Sequence, residues 1–498
     1  MSTKTQIDID AAATTDVETA PISHAKSNSG FRKGVYISSI VAAVGGFISG
    51  YDTGAVSGIL TMPTFQDNFF TPDNLTYLQG LLLAFFLMTA ALGAFFSGFF
   101  CDLLSRKYAI VLASCLFCIG NLFEVIGYKF GLLLAGRLVA GLGAGLMTNG
   151  IPLYHSEIAP PDIRGRLISF FTLMSTFGQV AGYFVTFGTS YLSTDWSWRA
   201  PWLLQLIVCA LFGLSMLTMP YSPRWLVDKG RHQESLESLA FLRELPTDDP
   251  SVRAEYDEIV SELEFEKSLG KRTYRELFAP TNRRRFFSAA FIAIATSFTG
   301  ITAVWYYAPG IFQQAGLSDV SSSIAATGGS GLLSLVCSAI SLQWFIDSWG
   351  RKKLFLSGSI MMGVSMFIVG AMFYQYTNVD VDTGEVAVSN TNARNTILAF
   401  VYIFAAVYAF TWGLATYVYP AEVFNMRTRA KGLAVVYGLN WAFTILITYC
   451  VPLFMASTVS GVYFFFGACC IVSFGGVLLL PETKGKTLEE MEYVFGAK

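Results

Sequence analysis

Long apolar segments alternate with short polar ones along most of the chain. Each apolar segment holds about 20 or more residues, enough for a helix that rises about 1.5 Å per residue to cross the ~30 Å hydrocarbon core of a bilayer. The segments cover residues 35–60, 76–100, 108–128, 130–155, 166–191, 198–219, 284–314, 322–347, 353–376, 394–420, 430–456 and 460–480. The pattern predicts an all-α polytopic membrane protein with twelve transmembrane helices.

The polar segments divide the chain into parts. The longest one, residues 220–283, contains HQESLESLAFLREL and AEYDEIVSELEFEKS, whose periodicity and charge predict short solvated helices. The N-terminal segment is rich in Asp, Thr, Ser and Ala and is expected to be disordered. The predicted organisation is a cytoplasmic tail (1–34), a six-helix bundle (35–219), a cytoplasmic helical linker (220–283), a second six-helix bundle (284–480) and a cytoplasmic tail (481–498).

Composition supports a membrane protein and argues against several other classes. Hydrophobic residues make up 53% of the chain and charged residues 14%, whereas soluble proteins carry about 25% charged residues. The net charge of −2 gives no reason to expect a nucleic-acid partner. The eight cysteines fall in or at the ends of predicted spans, which favours small buried apolar residues over a disulfide framework. The polar linker lacks a nucleophile, a metal-ligand set and a phosphate-binding loop, so we expect no enzyme, metal or cofactor.

The distribution of Lys and Arg predicts the orientation. Nearly all of them lie in the tails, the linker and the loops on one side, while Lys129, Arg199 and Arg394 lie on the other. Because cytoplasmic segments are enriched in Lys and Arg, both termini are expected to be cytoplasmic. Asn74 begins an Asn-Leu-Thr sequon on the opposite side, close to the second span, and is a candidate for N-glycosylation.

Two short motifs occur once in each predicted bundle. DLLSRK begins at Asp102 and DSWGRK at Asp347, while EIAPPDIRGR begins at Glu157 and EVFNMRTRAK at Glu422. Duplicated halves with a site between them near the middle of the membrane are the plan of secondary transporters. The sequence therefore predicts a transporter of duplicated origin.

The repeated acids and bases predict a cytoplasmic gate. Charges at facing helix ends can pair across the seam between the bundles, closing that side until the pairs separate. Positive charge that only sets topology is the alternative, and it leaves the matched acids unexplained. The predicted gate residues are Asp102, Arg106, Glu157, Arg164, Asp347, Arg351, Glu422 and Arg429.

Ionisable residues also lie inside the predicted spans. Asp52 is in the first span and Arg137 in the fourth. A charge in a membrane helix costs about 2.5–3.5 kcal/mol on insertion scales, so a functional role is the default interpretation. Burial favours a neutral Asp and a nearby Arg favours the carboxylate, so such an Asp can bind and release a proton. Glu124, near the outer end of the third span, is expected to extend to the membrane interface.

These features together resemble the sugar porter family of the major facilitator superfamily. The repeats are accompanied by GRLVAGLGAG (136–145), PYSPRWLVDKGR (220–231) and PETKGKTLEEME (481–492). The tails and Asn440-Trp441 are most similar to the fungal monosaccharide transporters of that family. The resemblance implies two six-helix bundles joined by a helical bridge, a monomer of the plasma membrane, and a sugar and a proton as partners.

The resemblance also implies a mode of transport. In the family, Asp at the position of Asp52, together with Arg137, accompanies proton symport, whereas Asn accompanies uniport. Some yeast facilitators also carry Asp at this position. Proton symport is therefore the favoured prediction, and facilitated diffusion stays open beside it.

The substrate-binding positions differ from the family pattern. The seventh span reads TSFTGITAVWYY (296–307), against a family pattern like QQLSGINAVFYY, with the register fixed by Gly300 and the two tyrosines. By this resemblance the predicted substrate-binding residues are Thr172, Gln179, Thr296, Ser297, Thr302, Tyr417, Asn440 and Trp441. Because hydroxyls replace several amides, we expect a roomier cavity with fewer bidentate contacts.

The predicted substrate is a monosaccharide, with fructose and glucose equally suited. A polyol or a sugar acid is the alternative, although the predicted cavity holds no cation beyond Arg137 to bind a carboxylate. A non-transporting sugar sensor is less favoured, because such sensors carry long cytoplasmic signalling tails, whereas the predicted C-terminal tail here has 18 residues.

Overall fold

Twelve helical segments of the computed structural model are long and apolar enough to cross a membrane. The structure describes residues 33–71, 74–160, 163–268, 274–280, 282–317, 319–379, 386–388, 390–424, 426–484 and 495. The predicted all-α architecture of twelve spanning helices is confirmed. The predicted terminal tails lie largely outside the described residues.

The helices divide into two bundles and a linker. The first bundle contains α1 (Lys33–Ile59), α2 (Pro63–Phe69), α3 (Leu75–Leu104), α4 (Arg106–Val125), α5 (Phe130–Ile158), α6 (Arg164–Thr189) and α7 (Trp196–Met216). The linker contains α8 (Pro223–Asp228), α9 (His232–Arg243), α10 (Pro250–Ser268) and a 3₁₀ turn (Tyr274–Phe278). The second bundle contains α11 (Arg283–Phe298), α12 (Ile301–Gln314), α13 (Val320–Ile340), a π-helical turn (Ser341–Phe345), α14 (Ile346–Trp349), α15 (Arg351–Tyr376), α16 (Thr391–Phe410), α17 (Trp412–Val423), α18 (Met426–Ser457) and α19 (Val459–Leu478).

The two ends of the molecule differ. At one end, which we call the linker face, α9 packs on the start of α1, and a Cβ at Gly34 would lie 2.5 Å from the carbonyl oxygen of Phe241. At the other end, the hairpin face, strands β1 (Thr377–Val379) and β2 (Val386–Val388) pair antiparallel. These names are used below without assigning either end to a side of a membrane.

Two spans predicted as single helices are interrupted. The seventh is broken between α11 and α12 at Gly300, whose φ of 91° is a left-handed conformation that favours glycine. The tenth is broken between α16 and α17 at Thr411. Discontinuous spanning helices leave backbone groups without helical partners, and in transporters they occur where the backbone lines a site.

The repeated DLLSRK and DSWGRK motifs share one backbone geometry. Ser105 has φ 89° and ψ 157°, and Gly350, at the matching place in the second motif, has φ 89° and ψ 153°. Ser105 lies between α3 and α4, and Gly350 lies between the short helix α14 and α15. Since Ser rarely adopts this conformation, the shared geometry supports the duplication that the sequence predicts.

Helices α1 and α6 are in close contact along a row of glycines. Gly46, Gly50, Gly54 and Gly58 follow one another at four-residue steps on one side of α1. A Cβ at Gly50 would lie only 1.7 Å from the carbonyl oxygen of Ser175 on α6. Small residues at this spacing let the backbones of membrane helices approach closely. The spacing of these glycines was a signal for this contact in the sequence, but the sequence-based predictions above do not include it.

The described contacts between the bundles gather toward the hairpin face. The Tyr183 hydroxyl donates to the carbonyl oxygen of Trp305 at 2.8 Å, and the Ser190 and Ser321 hydroxyls lie 3.0 Å apart. In both pairs one residue belongs to the first bundle and the other to the second. The rings of Tyr77 in the first bundle and Tyr449 in the second have their centres 6.5 Å apart. The bundles therefore meet at the hairpin-face ends of their helices.

All eight cysteines lie in described helices and are free thiols. Cys101, Cys209 and Cys470 are buried, as the sequence predicts. Cys115 and Cys450 are exposed on the helix surface, so the expectation of burial is wrong for these two. A thiol on a membrane-facing helix surface can face lipid, which explains why apolar context did not imply burial.

Candidate functional site

A fully buried charge cluster lies inside the first bundle. Arg137 Nη1 donates to Asp52 Oδ1 at 2.8 Å and Arg137 Nη2 donates to Asp52 Oδ2 at 3.0 Å. Nη1 also contacts Glu124 Oε1 at 3.3 Å. All three side chains are 0% exposed. The structure therefore brings together the two predicted coupling residues, from α1 and α5, in a bidentate pair.

The position of Glu124 corrects the sequence-based expectation. The sequence places Glu124 near a membrane interface, but the structure turns its side chain into the bundle against Arg137. The close approach of α4 and α5 explains the difference, since a Cβ at Gly136 would lie 2.9 Å from both the Glu124 Cγ and the Gly120 carbonyl oxygen. Glycine at 136 thus makes the space that the Glu124 side chain fills.

The cluster is bordered by aromatic rings from two directions. The Arg137 guanidinium carbon lies 4.2 Å from the ring centre of Phe86, a cation–π contact that excludes water from this side. Tyr306 of α12, in the second bundle, lies close enough to interact electrostatically with both Asp52 and Arg137. The cluster therefore extends to the contact between the two bundles.

The hydroxyl-rich stretch at the end of α11 makes contacts with neighbouring helices. Thr296 Oγ1 donates to the Ile292 carbonyl oxygen at 2.8 Å and lies 3.0 Å from Thr416 Oγ1 of α17. Ser297 Oγ lies 3.1 Å from Thr444 Oγ1 of α18. The Thr296 hydroxyl therefore bonds to its own helix, and the two hydroxyls together join three helices of the second bundle.

Two amide side chains, Asn440 in the second bundle and Gln179 in the first, form hydrogen bonds near the hydroxyl-rich stretch and the contact between the bundles. Asn440 Nδ2 donates to the Ala293 carbonyl oxygen at 2.8 Å and to Ser297 Oγ at 3.3 Å. In the first bundle, Gln179 Nε2 donates to the Tyr183 hydroxyl at 3.0 Å, and that hydroxyl bonds to Trp305 across the interface. The structure thus brings Thr296, Ser297 and Asn440 together and connects Gln179 to the second bundle.

The other predicted substrate-binding residues are less closely connected. Tyr417 of α17 is 54% exposed and packs against the Tyr437 ring at 5.9 Å. Thr172 and Trp441 are half-buried, and Thr302 is buried in α12. Their contact with a substrate stays a prediction. Sequence reasoning missed Thr416, Thr444 and Tyr183, which lie in predicted spans but match no family motif used above.

The predicted gate residues form charge networks within each bundle. Arg106 Nε pairs with Glu157 Oε2 at 2.8 Å and Arg106 Nη1 with Asp102 Oδ1 at 3.0 Å. In the second bundle, Arg351 Nη2 pairs with Glu422 Oε1 at 2.7 Å. Among the described side chains these pairs join helix ends of one bundle, whereas the pairs predicted from the sequence cross the seam between the bundles.

Further groups extend both networks. Ser222 donates to Glu157, and Thr483 donates to Glu422 at 2.6 Å. Glu482 accepts from the Arg351 backbone N–H at 3.0 Å. The matching pairs in the two bundles repeat the duplicated motifs in space. The side chains of Arg164, Asp347 and Arg429 lie outside the described residues.

Asn74, the glycosylation candidate, immediately precedes α3. Its side chain is half-buried, and its Oδ1 accepts a hydrogen bond from the Thr71 backbone N–H at 2.8 Å. Its glycosylation stays a prediction.

Replacing Tyr183 with Phe is expected to loosen the contact between the bundles. The substitution removes the hydroxyl that bonds to Trp305, and one such bond contributes about 0.5–1.5 kcal/mol. We expect faster backbone hydrogen–deuterium exchange in the hairpin-face parts of α6 and α12. Tyr191, exposed just beyond the end of α6, offers a control, and Tyr191→Phe is expected to leave exchange unchanged. Equal exchange in both variants would contradict a role for Tyr183 in holding the bundles together.

Comparison with known proteins identifies the family to which this sequence is similar. The sequence model of a family described as "Sugar (and other) transporter" matches residues 38–495. A quinate permease of Neurospora africana is 29% identical over 479 residues, with 93% of this chain and 89% of that protein covered. A probable quinate permease of Aspergillus niger is 32% identical, covering 93% and 88%. A probable glucose transporter of Neurospora crassa is 29% identical, covering 92% and 78%.

Solved structures agree with these matches at the level of the fold. The proton–xylose symporter XylE bound to 6-bromo-6-deoxy-D-glucose has a TM-score of 0.74 at 24% identity, covering 93% of this chain and 99% of that one. An inward-open conformation of XylE from E. coli has a TM-score of 0.75 at 24% identity, covering 92% and 99%.

Proposed function

We propose that this chain, which belongs to the sugar transporter family of the major facilitator superfamily, carries a monosaccharide across a membrane by alternating access. A hexose such as glucose or fructose is the proposed substrate, and proton symport the proposed mode. Two bundles that meet around polar side chains supply the moving parts of such a carrier.

The observation that carries proton coupling is the buried cluster of Asp52, Arg137 and Glu124. Carboxyl groups in a dry site next to the contact between bundles can take up a proton in one conformation and release it in another. One charge moving through 100 mV contributes about 2.3 kcal/mol, and each pH unit contributes about 1.4 kcal/mol. These gradients are large enough to drive accumulation of a sugar.

The chemistry of the candidate substrate site favours a neutral polyhydroxylated solute. Its predicted side chains are hydroxyls, amides and aromatic rings, which bond to sugar hydroxyls and pack on the ring. Arg137, the cation of the cluster, is already paired with two carboxyl groups. A carboxylate substrate would have to compete with Asp52 for it.

A cyclic polyol acid is the second candidate substrate. It is favoured by the relatives, since proteins of Neurospora africana and Aspergillus niger with the names quinate permease and probable quinate permease match almost the whole chain. Quinate carries several hydroxyls on one ring, as a sugar does, and one carboxylate. The two candidates therefore differ mainly in charge.

We further propose that the linker face is cytoplasmic, that the protein acts in the plasma membrane as a monomer, and that this conformation is open toward the cytoplasm. The bundles touch at the hairpin-face ends of their helices, while Tyr417, toward the linker face, is exposed. The basic residues of the linker and loops support this orientation.

Uptake in a yeast strain lacking its own sugar transporters tests the proposal. Labelled D-glucose, D-fructose, D-xylose, mannitol and quinate are supplied separately, with and without a protonophore. We expect accumulation of a hexose that the protonophore abolishes, and loss of accumulation in Asp52→Asn.

Other results would select the alternatives. Uptake that only equilibrates, and that the protonophore leaves unchanged, would indicate facilitated diffusion. Uptake of quinate alone would favour the second candidate substrate. A correctly located protein that takes up none of the solutes would overturn transport of this class and favour a sensor.

A further inference from the structure

The charge cluster contains one more acid than is needed to neutralise Arg137. Asp52 and Glu124 supply two carboxyl groups, Arg137 supplies one guanidinium, and each side chain is 0% exposed. With every group ionised the cluster would carry a net charge of −1 in a site that is not exposed to solvent. An uncompensated buried charge costs several kcal/mol, whereas one added proton makes the cluster neutral.

The geometry identifies which carboxyl holds that proton. Asp52 uses both of its oxygens on both terminal nitrogens of Arg137, at 2.8 and 3.0 Å, the strongest arrangement for an ionised carboxylate. Glu124 has a single 3.3 Å contact, and its Oε2 has no hydrogen-bond partner among the described residues. A buried oxygen without a hydrogen-bond partner costs much less free energy in a neutral carboxylic acid than in a carboxylate.

The surroundings of Glu124 offer little to stabilise a second negative charge. The charged or titratable groups near the cluster are Arg137, Asp52, Tyr51 and, from the second bundle, Tyr306. The Tyr51 hydroxyl donates to the Pro201 carbonyl oxygen at 3.1 Å and so is not directed at Glu124. Arg199 of α7 donates to the Gly127 carbonyl oxygen beyond the end of α4 and pairs with Asp195. One turn before Glu124, the buried Asn121 has no partner for either amide atom among the described residues.

We propose that Glu124 is the residue that holds the coupled proton in this conformation, while Asp52 stays ionised as the counter-ion of Arg137. The proposal rests on the proposed proton symport and names the group that performs it. An O–H bond forms at Glu124, with a proton taken from water, when water reaches the cluster from the hairpin face. In this conformation the cluster is 0% exposed and the proton is still bound. The bond breaks, and the proton passes to water, once water from the linker face reaches the cluster.

Deprotonation of Glu124 has a consequence for the helices. The new carboxylate competes with Asp52 for Arg137 Nη1, which already contacts both acids. The bond between Asp52 and Arg137 therefore weakens, and α1 is released from α5. Since α1 also packs against α12 near Tyr306, release changes the contact between the bundles.

The first experiment detects the proton without transport. Purified protein in nanodiscs at neutral pH is measured by infrared spectroscopy in the C=O stretching region of protonated carboxyl groups. The wild-type minus Glu124→Gln difference is expected to contain such a band. The matched control is Asp195→Asn, which neutralises an exposed acid and is expected to give no band. A Glu124→Gln difference without the band would overturn the proposal.

The second experiment separates Glu124 from Asp52 as the carrier. In an unbuffered cell suspension, the substrate found in the uptake screen is expected to cause alkalinisation with wild type. Glu124→Gln is expected to lose this proton uptake while keeping exchange of labelled for unlabelled substrate, and Glu124→Asp to restore part of it. Proton uptake by Glu124→Gln equal to that of wild type would overturn the proposal and assign the proton to Asp52.

The two experiments also distinguish the proposal from its premise. A wild-type protein that transports without alkalinisation would refute proton symport itself. The infrared band would then still decide whether Glu124 holds a proton.

Discussion

Replacement of Arg137 by Ala is expected to lower the free energy of unfolding by about 3–5 kcal/mol and to abolish transport. Arg137 is the counter-ion of a fully buried Asp52, held by two bonds of 2.8 and 3.0 Å. Without the guanidinium, Asp52 is left as an unpaired buried charge or must take up a proton. Either outcome also removes the pair on which coupling depends.

Thermal unfolding of the detergent-solubilised protein, followed by fluorescence, measures this change. Arg199→Ala is the matched control, because Arg199 is 29% exposed and pairs with Asp195 at 3.4 Å. An ion pair of this kind contributes about 1 kcal/mol or less. Equal losses of stability in the two variants would contradict the importance of the buried pair.

The double variant Arg137→Ala with Asp52→Asn tests the cause of the loss. Removing both charges leaves no unpaired ion if Glu124 is protonated, so part of the lost stability should return. Transport should not return, since the coupling pair is absent. A double variant less stable than Arg137→Ala alone would show that packing, not charge, explains the effect.

Gly50→Ala is expected to destabilise the first bundle strongly. The new Cβ would lie 1.7 Å from the Ser175 carbonyl oxygen, a backbone atom that cannot rotate away. Helices α1 and α6 must then separate, and overpacking of this kind costs about 1–3 kcal/mol, occasionally more. Because Asp52 lies two residues further along α1, the displacement should also impair proton-coupled uptake.

A matched glycine on the partner helix provides the control. A Cβ at Gly188 of α6 meets nothing within 4 Å. Gly188→Ala is therefore expected to be neutral or slightly stabilising, since Ala favours the helix over Gly. Melting temperature and the amount of protein at the cell surface measure both variants. Similar behaviour of the two alanine variants would show that α1 and α6 tolerate separation.

The fold was largely predictable because the bilayer imposes a simple rule on sequence. A span needs about 20 apolar residues, and its helix satisfies its own backbone hydrogen bonds. The twelve predicted segments therefore match the spanning helices within a few residues at most ends. The breaks within the seventh span at Gly300 and within the tenth at Thr411 were not predicted. Both lie in continuous apolar runs, and the residue type in such a run does not reveal its backbone angles.

The candidate site was predictable only in part. Asp52 and Arg137 stood out because charges are rare inside spans, and they do form a pair. Glu124 was misassigned because its position along α4 was considered without its neighbour α5. Gly136, on that neighbour, makes the space for the side chain, and no pattern within α4 contains this information.

The sequence alone determined what depends on each segment by itself: the number of spans, the duplicated motifs and the family they indicate. The tertiary structure decided which side chains meet. It paired Arg137 with two acids, joined Thr296 and Ser297 to hydroxyls of other helices, and kept the described gate pairs within each bundle. Such contacts depend on how each helix is rotated and how closely its neighbours approach. Small residues on other helices set both, so local periodicity does not record them.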